Sequence, residues 1–97
     1  MRPNYRFQIY MEDMSHDAEF ANLVSYYFGY ATIRTGNLGI WMDELERSAV
    51  LEYVTSNAVE GEGTCQRFSE AFCKQYNQEC TMITMDRIHM RMSKDPQ

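Results

Sequence analysis

Few residues in this chain have the types and spacing that catalysis requires. His16 and His89 are its only histidines, and neither lies in a zinc-protease, serine-hydrolase, CxxC or glycine-rich phosphate-loop motif. A single histidine without identifiable partners is more often solvated or structural than catalytic. We therefore predict that the protein is not an enzyme, with no catalytic residue and no small-molecule substrate.

Metal binding is the next chemistry to consider, and the spacing of its candidate ligands does not favour it. Cys65 and Cys73 lie on a predicted helix, where their separation turns the two side chains roughly 80° apart. The short-spaced ligand pairs of structural zinc are missing, so packing is the preferred role, and a zinc site of Cys65, Cys73, Cys80 and a histidine is the less favoured alternative. The Asp43–Glu46 segment lacks the alternating ligands and glycine of a calcium loop. We predict no metal and no cofactor.

The acidic residues are clustered, which is the most informative pattern in the sequence. Positions 12–19 contain four acids and no Lys or Arg, and positions 43–62 contain six acids with Arg47 as the single base. These segments carry net charges of −4 and −5, whereas the rest of the chain, with four acids and eight bases, carries +4. Such an asymmetry indicates a charged partner. The candidate partner-binding residues are Glu12, Asp13, Asp17, Glu19, Asp43, Glu44 and Glu46.

Length and composition predict one globular domain over residues 1–97, with a polar C-terminal tail at about 93–97. No apolar run is long enough to span a membrane, and the first residues lack the apolar core of a signal peptide. We therefore expect a cytoplasmic protein that does not bind membranes. The three cysteines are an odd number, and in a reducing compartment we expect no disulfide.

Hydrophobic periodicity in the first half predicts a strand, a helix and an irregular strand. Alternating apolar residues predict β-structure over Tyr5–Met11. Ser15 is the predicted N-cap of a helix whose apolar stripe ends before Gly29. The second strand begins near Tyr30, and Gly36-Asn37 predicts a bend or bulge in it before Ile40, Trp41 and Met42.

The second half predicts a strand, a helix and a final strand. Asp43–Arg47 is interpreted as a charged connection before a strand over Ser48–Thr55, and Asn57–Gly63 as a loop. Thr64 would cap a helix that ends at Asn77, and a strand would follow over Thr81–Met92, with a break at Asp86-Arg87. The order βαββαβ predicts an α+β, ferredoxin-like fold, an antiparallel sheet with two helices packed on one face.

Sheets of this kind often bind RNA, but the charges here argue against it. Arg6 lies beside Tyr10 on the first strand, whereas the third strand offers Glu52 and no base, unlike the RNA-recognition signature. A chain of net charge −5 would repel a phosphate backbone. We therefore predict no direct binding to nucleic acid, and a protein partner whose own surface is basic, such as one that normally binds DNA.

Three tyrosines do not fit a core-facing pattern. Tyr10, Tyr26 and Tyr30 are the least easily assigned to a buried face, and exposed tyrosines often contribute to protein interfaces because they add contact area at low entropic cost. They are secondary candidates for an interface.

Small size, an acidic surface, no catalytic motif and a compact fold together give the chain a family resemblance. It resembles phage-encoded anti-restriction and anti-CRISPR inhibitors, in particular the DNA-mimicking type I-F anti-CRISPR proteins. Gly39-Ile40-Trp41, followed by Glu46, Ser48 and Leu51-Glu52, with Asn77-Gln78-Glu79 opening the last strand, is also similar to a pattern in small phage proteins of ferredoxin-like build.

The resemblance implies inhibition by occupancy. The clustered acids would imitate duplex DNA on the basic surface with which the type I-F CRISPR surveillance complex (Csy complex) recognises PAM-containing DNA, in the cytoplasm of the infected bacterial host. One alternative is a small phage or bacterial interaction or assembly module without catalytic activity, for example a homodimer joined by a sheet edge. In another, the acids are solvated and maintain solubility.

Overall fold

A computed structural model describes residues 4–41, 43–79 and 81–88 of the chain. Within these ranges four strands and two helices follow one another in the order βαββαβ. Their bounds are β1 (Asn4–Glu12), α1 (Ala18–Tyr27), β2 (Thr32–Trp41), β3 (Glu44–Thr55), α2 (Ala58–Tyr76) and β4 (Met82–Ile88). The predicted α+β, ferredoxin-like fold is confirmed. No helix in the described ranges is long and apolar enough to cross a membrane.

The strands form one antiparallel sheet in the order β2-β3-β1-β4. The two central strands are therefore β3 and β1, and the two edges of the sheet are β2 and β4. Ile9 of β1 lies between Leu51 of β3 and Ile83 of β4, which places the three side chains on the same face of the sheet. That face carries the core, and neither of the two described helices packs on the opposite face.

The core lies between this face of the sheet and the two helices. Phe7, Ile9 and Met11 alternate along β1 with partly exposed residues, as expected for a strand with one buried face. Both helices place aromatic side chains over them, and the rings of Phe20 and Phe72 meet edge to face with centroids 6.2 Å apart. Such contacts add to the free energy gained by burying apolar area.

Helix α1 begins later than the sequence predicts. Its N-cap is Asp17, whose carboxylate accepts a hydrogen bond from the backbone N–H of Glu19 at 3.1 Å. The predicted cap, Ser15, instead donates from its backbone N–H and its hydroxyl to Asp13. Because the Ser15 side chain is held in the turn by Asp13, Asp17 occupies the cap position two residues later. The prediction of Ser15 as the N-cap is therefore wrong.

Helix α2 begins earlier than predicted, because Asn57–Gly63 is helical from Ala58 onward and not a loop. Asn57 is the N-cap and accepts a hydrogen bond from the backbone N–H of Glu60 at 3.0 Å, so Thr64 is not the cap. Gly61 is buried against the sheet, where an added Cβ would lie 2.6 Å from Phe7. The glycine that suggested a loop therefore permits close packing of a helix. The predicted end at Asn77 is confirmed by its left-handed backbone, φ 53°.

The hairpin of β2 and β3 is longer than predicted. Glu44–Arg47 belongs to β3 and pairs with β2, so the predicted charged connection at Asp43–Arg47 is wrong for all but its first residue. The predicted irregularity in β2 is confirmed as a shift of register between Arg34 and Asn37, where Gly36 has φ 80°. Strand β4 continues through Asp86-Arg87 without a break. The predicted continuation to Met92 and the polar tail lie outside the described residues.

Candidate functional site

The end of the β2–β3 hairpin extends beyond the helices. We call residues 36–41 and 43–47 the hairpin arm. Those of the arm whose exposure is described are exposed, except for the half-buried Gly39. By contrast, β3 is buried at Ala49, Val50 and Leu51. The arm is therefore a two-stranded extension held mainly by its own ladder of hydrogen bonds.

One face of the arm is apolar. Leu38, Ile40 and Leu45 retain 70%, 75% and 71% of their accessible surface. Ile40 lies directly opposite Leu45, and Leu38 lies opposite Arg47. Because residues directly opposite one another project to the same side of an antiparallel pair, the three aliphatic chains form one strip. We call it the apolar strip.

The other face of the arm is acidic. Glu44 lies opposite Trp41 and Glu46 lies opposite Gly39, so both carboxylates project away from the apolar strip. Asp43 precedes Glu44 in the turn, with a left-handed backbone of φ 66° that aspartate tolerates better than most residues do. The three predicted acids of the second block thus lie at the tip of the arm and on one of its faces.

The two acidic blocks meet at the base of the arm. Glu12, Asp13 and Glu46 line one open cleft together with His16, Leu45, Arg47 and Ser15. The backbone N–H of Asp13 donates to the carbonyl of Arg47 at 3.1 Å, which fixes the end of β1 against β3. Hydrogen bonds from the Ser15 hydroxyl and backbone N–H lower the pKa of Asp13, with smaller contributions from His16 and Arg47. The cleft is acidic, but it also contains positively charged or ionisable groups.

The remaining two predicted acids lie elsewhere. Asp17 caps α1 and Glu19 lies in its first turn, where carboxylates complement the helix dipole. Both lie near Tyr76 at the end of α2, where burial raises the pKa of the tyrosine and the carboxylates of Asp17 and Glu19 raise it further. Neither residue lines the acidic cleft. The structure therefore brings together Glu12, Asp13 and Glu46, and separates from them the pair at α1.

The open face of the sheet carries a polar network. Arg34 donates to Glu52 at 3.0 Å, Gln8 donates to the same oxygen at 3.4 Å, and the Tyr10 hydroxyl donates to Gln8 at 3.5 Å. Arg6 and Asp86 form a separate ion pair at 3.1 Å. These charges stabilise contacts between neighbouring strands, so Glu52 is already paired within the chain.

A second cleft lies at the other end of the sheet. The pairing of β2 with β3 stops at Thr32 and Glu52, so among the described residues β3 has no strand neighbour on that side from Tyr53 to Thr55. Val54 and Tyr30 are exposed there, by 37% and 83%. We call this cleft the notch. It is lined by Asn4, Gly29, Tyr30, Thr32, Glu52, Tyr53, Val54, Thr55 and Ser56.

The tyrosines singled out by the sequence have different environments. Tyr26 and Tyr30 are 81% and 83% exposed, whereas Tyr10 is half-buried and joined to Gln8. Tyr26 packs edge to face against Tyr27 at 4.9 Å. Tyr30 is the one of the three that lines a cleft described here, the notch.

Neither the histidines nor the cysteines assemble into a reactive site in the part of the chain that the structure describes. No group of three potential metal ligands is found there. Cys65 is fully buried against the core, and burial raises the pKa of its thiol to about 11. Cys80 and His89, which belong to the alternative zinc site, lie outside the described residues.

Sequence reasoning missed the apolar strip. It noted Ile40 within an apolar run but interpreted Leu45 as part of a charged connection and gave Leu38 no role. The signal was present, because Leu38 and Ile40 alternate with Asn37 and Gly39, and Leu45 lies between two glutamates. What the sequence could not show is that neither of the two described helices covers this face.

Comparisons with known proteins support the fold. No protein-family model matches the chain, and no curated protein sequence matches it significantly. Among solved structures, it is similar to CPII, a nitrogen regulatory PII-like protein from Thiomonas intermedia K12 bound to ADP, AMP and bicarbonate, with a TM-score of 0.60, 13% identity, and 95% of this chain and 97% of that chain covered.

A second similar structure is CutA from Synechococcus elongatus PCC7942 in complex with a Bis-Tris molecule. The TM-score is 0.59 at 8% identity, over 91% of this chain and 82% of that chain. At such identities the likeness shows a shared fold and no more. The function must therefore be argued from the surfaces of this chain.

Proposed function

We propose that this chain is a small protein-interaction module without catalytic activity, and that the hairpin arm is its docking element. The observation that carries the proposal is the apolar strip. Three large aliphatic side chains are 70–75% exposed on one face of an arm that extends beyond the core. Contiguous exposed apolar surface of this kind, with a polar rim, marks sites of protein contact.

The construction of the arm supports the same conclusion. Its apolar face provides area that gains free energy when it is covered, and its acidic face, with Glu44 and Glu46, provides charge that selects among partners. The exposed edge of β2 also offers unpaired backbone groups to a second strand. Apolar area, charge and a free edge thus occur together.

A photo-crosslinking residue placed at Ile40 tests this proposal in the cells that produce the protein. We expect adducts of defined mass from position 40, and none from Val59, which is 83% exposed on α2 and serves as the matched control. Adding Leu38→Ser and Leu45→Ser should remove the adducts. Equal crosslinking from positions 40 and 59 would contradict a docking role for the arm.

A second candidate function is the one implied by the family resemblance, a DNA-mimicking inhibitor of the type I-F CRISPR surveillance complex. The observation that favours it is that the two acidic blocks meet, since Glu12 and Asp13 of the first line the same cleft as Glu46 of the second. Only a cluster of carboxylates could imitate the close charge spacing of duplex DNA. Arg47 and the hydrogen bonds that occupy Asp13 reduce the negative field.

Competition measures this second candidate directly. PAM-containing duplex DNA would be bound to the purified surveillance complex with and without this protein, at low and moderate salt. A DNA mimic should displace the duplex, more strongly at low salt, and Glu12→Lys with Glu46→Lys should abolish displacement while circular dichroism shows an intact fold. Undisturbed DNA binding at both salt concentrations would leave only the arm-based interaction module.

A further inference from the structure

We infer that the partner of the hairpin arm is a second copy of this chain, which receives the arm in its notch, head to tail. The inference rests on the proposed function, because it names what the docking element binds. It is carried by two surfaces of matching chemistry at opposite ends of one sheet.

The first step is the position of the two surfaces. Leu45 of the apolar strip and Val54 of the notch lie on the same strand, nine residues apart, which corresponds to about 30 Å of extended chain. The arm therefore cannot reach the notch of its own chain. A contact between them joins two molecules through different surfaces, which is a heterologous interface.

The second step is the match in backbone and apolar surface. The notch lies where β2 stops and β3 continues, so the edge of β3 from Tyr53 to Thr55 has no strand beside it in the described chain. The arm supplies a strand with a free edge. A strand inserted in the notch would extend the ladder by β-augmentation, while the apolar strip would be covered by Tyr30 and Val54.

The third step is charge, which disfavours the arm-to-arm alternative. The arm carries three acids, Asp43, Glu44 and Glu46, against one base, Arg47. A symmetric contact between two arms would therefore associate two segments of like net charge, even though Glu44 and Glu46 project away from the apolar strip. The notch carries no uncompensated acid, because its Glu52 is paired with Arg34 at 3.0 Å. Clustered like charges oppose association, so the acidic arm is accommodated better by the notch than by another arm.

The area available also suits association of identical chains. The apolar strip alone exposes on the order of a few hundred Å², and a strand seated in the notch adds backbone and flanking side chains toward the roughly 800 Å² per partner of a stable interface. A heterologous contact either closes into a ring or continues as a filament. The assembly should therefore exceed the monomer mass.

The test combines two variants that each destroy one surface. The arm variant carries Leu38→Ser and Ile40→Ser, and the notch variant carries Tyr30→Ser and Val54→Glu. Val59→Ser removes an exposed apolar side chain outside both surfaces and is the matched control. Circular dichroism and urea unfolding establish that each variant folds, and light scattering after size-exclusion chromatography measures mass over a wide range of concentrations.

We expect wild type and the control to associate with rising concentration, and each surface variant alone to remain monomeric. An equimolar mixture of the two variants should form a one-to-one pair, because one retains an intact arm and the other an intact notch. A mixture that stays monomeric overturns the inference. So does association of the notch variant by itself, which would indicate contact between arms.

The outcome separates this inference from the proposed function. A wild-type protein that stays monomeric at all concentrations, while position 40 still crosslinks specifically to a different protein in cells, refutes the second copy and leaves the docking role of the arm. Loss of both self-association and specific crosslinking refutes both.

Discussion

Strand β3 runs through two different environments, and their contrast is instructive. At Ala49 and Leu51 its inward side chains are fully buried beneath the helices, whereas at Leu45, on the same face, the side chain is 71% exposed. All three residues lie at odd-numbered positions of the strand, so their side chains project from the same face. Alternation thus indicates which face of a strand is apolar, but not whether another element covers that face.

Truncating one side chain in the covered region and one in the hairpin arm tests this contrast most directly. Phe68 is fully buried and has ring contacts to Phe28 at 5.3 Å and to Tyr27 and Phe72. Phe68→Ala should therefore lower the free energy of unfolding by about 3–5 kcal/mol. Leu45→Ala should change it by no more than about 0.5 kcal/mol. Urea unfolding at low protein concentration measures both. A similar loss for Leu45→Ala would show that the arm is covered within the monomer.

Helix α2 packs closely on the covered part of the sheet, and substitutions at two glycines of this helix test how close that packing is. A Cβ at Gly61 would lie 2.6 Å from both Phe7 and Thr55, so Gly61→Ala should destabilise by about 1–3 kcal/mol. At Gly63 the nearest atom is the mobile end of Arg67 at 3.2 Å, so Gly63→Ala should stabilise by up to about 1 kcal/mol through helix propensity.

Thermal and urea unfolding of the two glycine variants give the sign of each effect. Stabilisation by both substitutions would mean that α2 packs less closely on β1 than the structure shows. Destabilisation by both would mean that the first turns of α2 are not helical.

The residue at which α2 begins determines how much of the sheet the helix covers. That start can be tested by removing the side chain of the N-cap. Asn57→Ala deletes the acceptor for the Glu60 backbone N–H and should cost about 1 kcal/mol. Thr64→Ala is the control, because the Thr64 hydroxyl donates to the Glu60 carbonyl within the helix and accepts only a long, exposed hydrogen bond from Arg67 at 3.4 Å. Its effect on urea unfolding should be within about 0.5 kcal/mol. The reverse order of these two losses would restore Thr64 as the cap.

The boundary between the covered sheet and the arm is held in part by an ion pair. Arg34 is 52% exposed in its pair with Glu52, which is 23% exposed, so Arg34→Ala should cost less than about 1 kcal/mol. The loss should diminish when urea unfolding is repeated at high salt, because exposed charges are screened. A salt-independent loss would instead indicate that Arg34 acts by packing its aliphatic stem.

The smallest expected effect concerns pH at the base of the arm. Because Ser15 lowers the pKa of Asp13 below its usual 3.8 in the folded chain, the stabilisation is present above pH 3.8 and is lost as the pH falls through the lower folded value. Ser15→Ala should move the pKa of Asp13 upward, measured by NMR titration of its carboxyl carbon. An unchanged pKa would contradict the hydrogen bonds to Ser15.

The sequence was sufficient to predict the order of elements, because the periods of β1 and α1 are each set by one buried face, and the apolar run of β3 is typical of a central strand. The sequence was misleading at glycines, which occur both in loops and where a helix packs closely on a sheet. Gly61 and Gly63 suggested a loop, yet Asn57 and Glu60 at a three-residue spacing were already the signal of a helix start. Packing against Phe7, which the sequence does not reveal, explains the glycine.

Prediction of the site was limited in a different way. Clustering along the chain singles out acids that are near one another in sequence. Only the pairing between strands shows that Glu12 and Glu46 line one cleft, whereas Asp17 and Glu19 lie near the end of α2. The part played by the acids in binding remains a prediction. Predicting the apolar strip would have required knowing that the two described helices do not cover it. Whether they do depends on how far the helices extend relative to the strands.

The bulge in β2 determines more than the local twist of a strand. Before it, the odd-numbered Ile33 pairs with Leu51 on the core face; after it, the even-numbered Leu38 and Ile40 occupy that face, opposite Arg47 and Leu45. One extra residue between Arg34 and Asn37 has reversed the parity of the strand. Deleting a single residue there would divide the strip between two faces without changing any apolar side chain. The binding surface is therefore encoded by chain length as much as by composition.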